Sequence, residues 1–391
     1  MTQVRKIAFN HDIFPCGGAE RVTLDIAKYI TQSNPNYKFY VFAYRITEEL
    51  LTEEWTRYLT IIKVRGKRKL RYKDIEEAVL REGIELIVQV VKPLKYIEKI
   101  KARTGCKTIF ANHGVPFSDE YVIIKRRSKS KLFKPLWNIF WRRCYEDWGL
   151  ARRVAINRTK SIYKSVDAYM VLCETYKSII CKEIGINPEN SKITAIENSE
   201  KIVPDVNYNK EKIILFCGRL ENISKRLDRL LRIWGKVQHK LPDYRLVIVG
   251  DGVARKDMEK QIADEKLERV DIEGFQTNVE KYYRKASIVC LTSQHEGWPL
   301  CLTEGQAHGC IDIAFECTAG IREILSPSGV NGFIIGEPFD EDEYAETLLR
   351  IAAMSDEERE VIRRNAVAKR AQYAPEIIIA KWTQLFESVL K

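Results

Sequence analysis

Thirteen short apolar runs recur along this chain, and amphipathic helical stretches separate many of them. Most of the runs are β-branched and bounded by Gly, Asn or Asp, as parallel strands covered on both faces should be. Strands are expected at 6–9, 39–43, 61–64, 86–90, 108–111, 168–172 and 192–196 in the first half. In the second half they are expected at 212–217, 245–249, 270–273, 288–291, 311–314 and 333–335. Helical spacing is clearest at 19–30 and 227–240. The alternation makes the chain α/β, and its 391 residues suit two domains. A polar stretch at 198–212, containing Pro204, precedes a fresh strand and marks the join. The expected division is 1–203, 204–370 and a closing amphipathic helix within 371–391, after Pro375.

No run of eighteen apolar residues is present, so no helix is expected to span a membrane. The start, "MTQVRKIAFNHD", lacks a charged-then-apolar-then-small pattern, so no secretory signal is expected. None of the ten cysteines forms a C-x-x-C pair, which fits reduced, buried thiols in a cytoplasmic protein. Cys301, Cys310 and Cys317 near His308 match no zinc spacing.

Ligands of open α/β sheets bind beyond the carboxyl ends of the strands, and four such exits carry chemistry. In "NHDIFPCGGAERV", Gly17 and Gly18 open a helix whose N–H groups suit a phosphate; on this piece alone a tight turn with a helix cap is the stronger reading. In "LFCGRLENISKRLDRLL", Arg219 and Lys225 suit a diphosphate clamp or an exposed basic turn. In "VIVGDG" and "IEGFQTN", a glycine after each strand would let a flat base lie against the backbone. Gly250-Asp251-Gly252 lacks the third glycine of a dinucleotide fingerprint, so a dehydrogenase is a poor reading.

The fourth exit is "HEGWPLCLTEG". Glu296 and Glu304 would not attract phosphate by charge. They suit hydroxyl groups, a sugar at Glu296 and a ribose at Glu304, or else an acidic residue complementing the start of a helix. A carboxylate pair also suits a glycosidase, but its place beside phosphate ligands favours transfer. No Asp-x-Asp metal motif sits at a suitable strand end, and "DEDE" at 340–343 reads as a solvated helix start.

Taken in order, "GGAERV", "CGRLENISK", "VGDG", "GFQTNVEKYYRKASIVCLTS" and "HEGWPLCLTEGQAHG" resemble the retaining glycosyltransferases of family 4, as in bacterial cell-surface polysaccharide and lipopolysaccharide synthesis. The resemblance runs over nearly the whole chain and is strongest from 212 to 336. It implies the GT-B fold, two Rossmann-like doubly wound domains facing a central cleft. An acceptor-binding first domain would be joined by a donor-binding second one, with the last helix crossing back to the first. It implies that Arg219 and Lys225 hold the donor diphosphate, Glu304 the ribose and Glu296 the sugar. Gly17, Gly18 and Gly218 would lie by the phosphates, and Phe275 and Gln276 by the base. Gly297, Trp298, Pro299, Leu300 and Cys301 would line sugar and phosphate through their backbone. His113 in "IFANHG" matches the family's histidine near the donor sugar. Asn198 matches the turn that closes the first domain, with Glu197 where the family has proline. Arg226 stands where the family has glycine and would share the role of Lys225.

The implied reaction moves a hexose or N-acetylhexosamine from a nucleotide-sugar, expected to be a UDP-sugar, to a hydroxyl of a lipid-linked or cell-surface glycan. No metal or other cofactor is expected. A sugar-nucleotide epimerase on the same fold is the alternative.

Residues 1–200 hold 37 Lys and Arg against 23 Asp and Glu, whereas residues 201–391 hold 28 against 31. The excess positive charge therefore lies wholly in the first half. Basic runs at 65–71 and 125–153 concentrate it, the second with Phe133, Trp137, Phe140, Trp141, Tyr145 and Trp148 interleaved. Either those aromatics are core or they form an interfacial helix on anionic lipid. The second reading gives a cytoplasmic protein held peripherally at the inner face of the membrane. Nucleic acid would also accept such a surface, but the paired glutamates and paired cations do not need it, and none is expected.

Overall fold

The structure is a computed structural model that describes residues 4–15, 17–65, 71–128 and 140–391. Every one of the thirteen expected strands is found. They are β1 (Arg5–Phe14), β2 (Tyr37–Ile46), β3 (Leu59–Lys63), β4 (Leu86–Val90), β5 (Lys107–Asn112), β6 (Ala168–Val171), β7 (Ile193–Ala195), β8 (Glu211–Cys217), β9 (Arg245–Val249), β10 (Val270–Gly274), β11 (Ala286–Leu291), β12 (Ile311–Phe315) and β13 (Phe333–Ile335). All pair in parallel. One sheet has the order β3-β2-β1-β4-β5-β6-β7 and the other β10-β9-β8-β11-β12-β13. Both are Rossmann-like, with the strand order reversing between β1 and β4 and again between β8 and β11. Ligands of such sheets gather outside those reversal points.

Burial explains why the strand runs are apolar throughout rather than alternating. All five residues of β4 and all six of β11 are buried, because helices cover both faces. The helix Gly18–Ser33 turns Val22, Leu24, Ile26, Ala27 and Ile30 to its sheet. The helix Leu227–Val237 buries Leu227, Leu230, Leu231, Ile233, Trp234 and Val237, and stops three residues short of its expected end.

β1 runs five residues further than its apolar pattern, through Asn10, His11 and Asp12 to Phe14. Its pairing with β2 continues to Phe14 against Ile46. Phe14 is fully buried and meets Trp55 edge-on, with ring centroids 5.1 Å apart. Long-range pairing here overrides a polar local sequence.

The chain divides into one unit of Met1–Glu197 with Ile378–Lys391 and a second of Asn198–Ile377. The division after Glu197 lies six residues before the expected one. In the first unit the end of the helix Pro375–Leu390 packs on β2. Tyr37 donates its hydroxyl to Glu387, and Phe386 lies 6.5 Å from Phe39 between centroids. Lys381 pairs with Glu197 at 2.6 Å. In the second unit Asp340 caps Glu341–Ala353, accepting from the N–H groups of Asp342 and Glu343, so the acidic run at 340–343 is a helix start. Among the described residues no helix is long and apolar enough to cross a membrane.

Candidate functional site

The exit of β8 is zipped to the exit of β9. Gly218 N–H donates to Val249 O at 2.9 Å and Leu220 N–H to Asp251 O at 3.0 Å. A Cβ built on Gly250 would lie 1.9 Å from Gly218 O, and one on Gly252 would lie 2.3 Å from Leu220 O. Both glycines are thus required by this backbone contact. Arg219 is exposed between the zipped residues, with Leu220 fully buried beyond it as an anchor.

The loop then folds on Glu221, whose carboxylate accepts from the N–H groups of Ile223 and Ser224 at 3.0 and 3.2 Å. This turn presents Lys225 to the exit of β11, where its ammonium meets Glu296 Oε1 at 2.6 Å. Burial pulls the Lys225 ammonium down, but the Glu296 carboxylate outweighs it, and the pKa lies above the ordinary lysine value. Arg226 does not join them. Its guanidinium forks onto Asp228 at 2.9 and 2.8 Å, leaving Lys225 as the cation directed at Glu296.

The β11 exit is pinned as closely. Gln294 N–H donates to Ser224 O at 2.7 Å and Thr292 Oγ1 to Arg226 O at 3.1 Å, so the two exit loops form one body. Ser293 Oγ donates to Glu296 Oε1 at 2.7 Å, and Thr318 Oγ1 donates to Glu296 O at 2.7 Å. Trp298 is buried, its ring 5.5 Å from that of Tyr373. Pro299 caps the helix Leu300–Ala307, in which Cys301 is buried. Glu304 is the fifth helical residue, in the second turn and not the first. That weakens its reading as a complement to the helix start, since the dipole effect fades within the first turn. Gly305 lets this helix settle on the sheet, because a Cβ there would lie 2.6 Å from Asp312 Oδ1.

Phe275 is exposed after β10, and Gln276 turns its amide back to Glu273 O at 3.0 Å. Around Glu296 the structure therefore brings together Lys225, Gly297 and the start of the helix at Leu300, with Arg219 and Gly218 on the adjoining loop. Sequence reasoning missed Ser293, Thr318 and Glu221. Only Ser293, three residues before Glu296 in the same exit, had a local signal.

In the first unit Gly17 is the N-cap of Gly18–Ser33. Burial raises the Glu20 carboxyl, but the His11 ring and the N–H groups of Glu20 and Gly17 outweigh it and hold its pKa below the ordinary value. His11 is buried between Glu20 Oε1 at 3.2 Å and Thr23 Oγ1 at 2.9 Å. The helix start offered to a phosphate is thus already served by a carboxylate of its own. His113 follows β5, in a loop shaped by Asn112 Oδ1 accepting from Gly114 N–H at 3.1 Å. Asn198, the first residue of the second unit, is buried.

Residues 198–369 match the model of the family "Glycosyl transferases group 1". The match covers nearly all of the second unit. Over 190 residues, 48% of this chain and 52% of the relative, the sequence is 31% identical to the amylovoran biosynthesis glycosyltransferase AmsD of Erwinia amylovora. The chain spans about half the length of the first curated relatives it matches. Over 98% of its length it is 24% identical to 99% of a Campylobacter jejuni enzyme. That enzyme is named GalNAc-alpha-(1->4)-GalNAc-alpha-(1->3)-diNAcBac-PP-undecaprenol alpha-1,4-N-acetyl-D-galactosaminyltransferase. Among solved structures, Anabaena Alr3699/HepE in complex with UDP-glucose superposes with a TM-score of 0.75. The match has 17% identity and covers 98% of this chain and 99% of that one. The fold is GT-B.

In the first unit the aromatic-basic stretch divides in two. Cys144, Tyr145 and Ala151 form a buried cluster on which half-buried Trp141, Ile123 and Ile124 pack, so Tyr145 is core and Trp141 lies at its edge. Phe140 and Trp148 are 46% and 63% exposed, with ring centroids 6.1 Å apart, beside exposed Arg142 and Arg143. Lys129, Lys131, Phe133, Lys134 and Trp137 lie outside the described residues, as do residues 66–70 and Cys16.

Proposed function

We propose that this protein is a retaining, metal-independent glycosyltransferase. It moves a hexose or N-acetylhexosamine from a UDP-sugar to a hydroxyl of a lipid-linked or cell-surface glycan. The observation that carries this reading is the Lys225–Glu296 pair, which joins the exits of β8 and β11 at the reversal point of the second sheet. It sets a cation for a diphosphate beside a carboxylate for sugar hydroxyls. The relative from Campylobacter, named for a diphospho-undecaprenol glycan, and the Anabaena structure with UDP-glucose support the choice of substrates.

As the bond from the sugar's anomeric carbon to the diphosphate breaks, negative charge grows on the leaving group. Arg219, Lys225 and the N–H groups at the start of Leu300–Ala307 stabilise it. The acceptor hydroxyl attacks on the same face, and its proton passes to the leaving phosphate. No enzyme nucleophile is required, so Glu296 positions the sugar and Glu304 the ribose.

A screen of nucleotide-sugars for donor hydrolysis and transfer, run in excess EDTA, tests the reading. Turnover of a UDP-sugar is expected to persist. Activity lost in chelator and restored by Mn²⁺ would refute metal independence. Interconversion of the nucleotide-sugar without acceptor consumption would point to an epimerase.

The exposed pair Phe140 and Trp148, with its arginines, is the surface through which we place the protein peripherally on the inner face of the membrane. Charge attraction to an anionic leaflet is screened by salt, whereas inserted rings are not. Binding to phosphatidylserine-containing vesicles should therefore fall but persist as salt rises. Ser at both positions should remove the persistent part and leave the fold intact, whereas Trp141→Ser should destabilise it. No binding to such vesicles at low salt would refute the placement.

A further inference from the structure

Thr318 occupies the N-cap of the helix Ala319–Leu325, with the extended backbone that position favours, yet its side chain makes no capping hydrogen bond. Threonine is among the preferred N-cap residues, and a hydroxyl that caps is worth about 1 kcal/mol. Here the hydroxyl turns away from its own helix and donates to the carbonyl of Glu296, 22 residues earlier, at 2.7 Å. Ser293 behaves likewise. It is fully buried just beyond β11, and its hydroxyl is directed at Glu296 Oε1 at 2.7 Å. Glu296 is thus held through its backbone from the exit of β12 and through its carboxylate from the exit of β11. Lys225 adds a third hold from the exit of β8.

We propose that Ser293 and Thr318 are positioning residues that fix Glu296 for the donor sugar, an inference that rests on the reading of Glu296 above. The two hydroxyls differ from Lys225 in one respect that gives them their purpose. A diphosphate competes with Glu296 for the lysine ammonium, because both are anions. When the donor arrives, the ion pair weakens, and a carboxylate held by the lysine alone would lose its orientation as the sugar needs it. Neutral hydroxyls do not bind a diphosphate at the expense of the carboxylate in this way. They keep Glu296 in place while Lys225 turns to the phosphates. Preorganised polar groups of this kind act without reorganisation at the moment of reaction.

The inference separates sugar from nucleotide. Loss of either hydroxyl should leave the binding of UDP alone within about twofold of wild type and lower kcat roughly 10- to 100-fold, as misplacement of a positioning group does. Three variants test it: Thr318→Val, which keeps the shape and removes the hydroxyl; Thr318→Ser, which keeps the hydroxyl; and Ser293→Ala. Each is measured for UDP affinity by calorimetry and for kcat and KM on UDP-glucose, UDP-N-acetylglucosamine and UDP-N-acetylgalactosamine. Support requires UDP affinity to hold in all three, kcat to fall in Thr318→Val and Ser293→Ala, and Thr318→Ser to recover it. A parallel loss of UDP affinity would show that the hydroxyls only support the loop and would overturn the proposal. Equal kcat in Thr318→Val and wild type, or no recovery in Thr318→Ser, would do the same while leaving the site reading intact. If wild type neither binds UDP nor turns over any of the three sugars, the site reading itself fails and this inference fails with it.

Discussion

At the reversal point of the first sheet, Asp12 and Lys92 pair in the open, 44% and 66% exposed. At the corresponding point of the second, Lys225 and Glu296 pair with 20% and 11% exposed. The strand order around the two points is the same, so architecture does not explain the difference. An exposed pair contributes about 0–1 kcal/mol and can be lost without consequence. A pair drawn out of water must be kept whole, because removing one partner leaves a charge unmatched. The second unit accepts that constraint at four connected exit loops, and it is the unit that matches the family model. Backbone strain lies beside both points: Arg226, next to Lys225, has φ of 50°. Val91, just after β4, has φ of 63°, and Lys92 N–H reaches back to Val90 O at 2.6 Å. A β-branched residue in that region costs on the order of 1–3 kcal/mol.

The largest contrast should come from glycines. Gly250→Ala puts a methyl group against Gly218 O, so the second unit should lose about 3 kcal/mol or more of stability. Gly185→Ala, in the first unit, strains a backbone with φ of 76° but meets open space and should cost only about 1–2 kcal/mol. Urea denaturation of the two variants measures both. Equal losses would show that the zipped exits of β8 and β9 hold nothing that an ordinary turn does not.

Next comes the ion pair. Lys225→Ala should lower turnover at least about 100-fold, the scale of removing one transition-state donor. Lys92→Ala should leave UDP binding unchanged. A Lys92 variant that weakens UDP as much as the Lys225 variant does would mean that both reversal points meet the nucleotide.

Glu304→Ala should weaken UDP by roughly 10- to 100-fold, since a hydroxyl bonded to a carboxylate is worth about 1.5–3 kcal/mol. Unchanged affinity by calorimetry would remove Glu304 from the ribose and restore it to the role of a half-buried helical residue.

The smallest effect is set by pH. Burial, opposed by the hydrogen bond to Glu304 O, holds the His308 pKa below its ordinary 6.5. The unfolded histidine takes up a proton first as pH falls. The contribution of His308 is therefore present above pH 6.5 and is lost as pH drops through that value toward the folded pKa. Glu20 has a folded pKa below its ordinary 4.5, so its contribution is lost only below that. Between pH 7 and 5.5, His308→Gln should flatten the acid slope of stability by under about 1 kcal/mol, and Glu20→Gln should not. Identical slopes in the two variants would count against this ordering.

Strand positions were legible because they depend on local composition. β4, β9 and β13 have the limits that their apolar runs suggest. Lys225 and Glu296 were legible as residue types that suit a diphosphate and a sugar. Their contact across 71 residues was not, because it needs β8 and β11 side by side. That adjacency comes from parallel pairing, which no local pattern encodes.

The sequence offered Gly250 for a flat base and Gly250-Asp251-Gly252 as an incomplete fingerprint, but not the backbone that these glycines meet. That backbone, the carbonyls of Gly218 and Leu220, belongs to another strand exit. The stretch around 140–148 carried its aromatics in plain view, and only packing separated buried Tyr145 from exposed Trp148. Ser293 and Thr318 were the least legible of all. A hydroxyl on a short side chain has several rotamers and many candidate partners nearby, among them its own helix. Which it takes is settled when three strand exits meet at Glu296. The sequence by itself determined where the strands lie and which charges stand at their ends. Tertiary structure alone decided which of those charges are paired and which hydroxyls hold them, because both depend on groups brought together from distant parts of the chain.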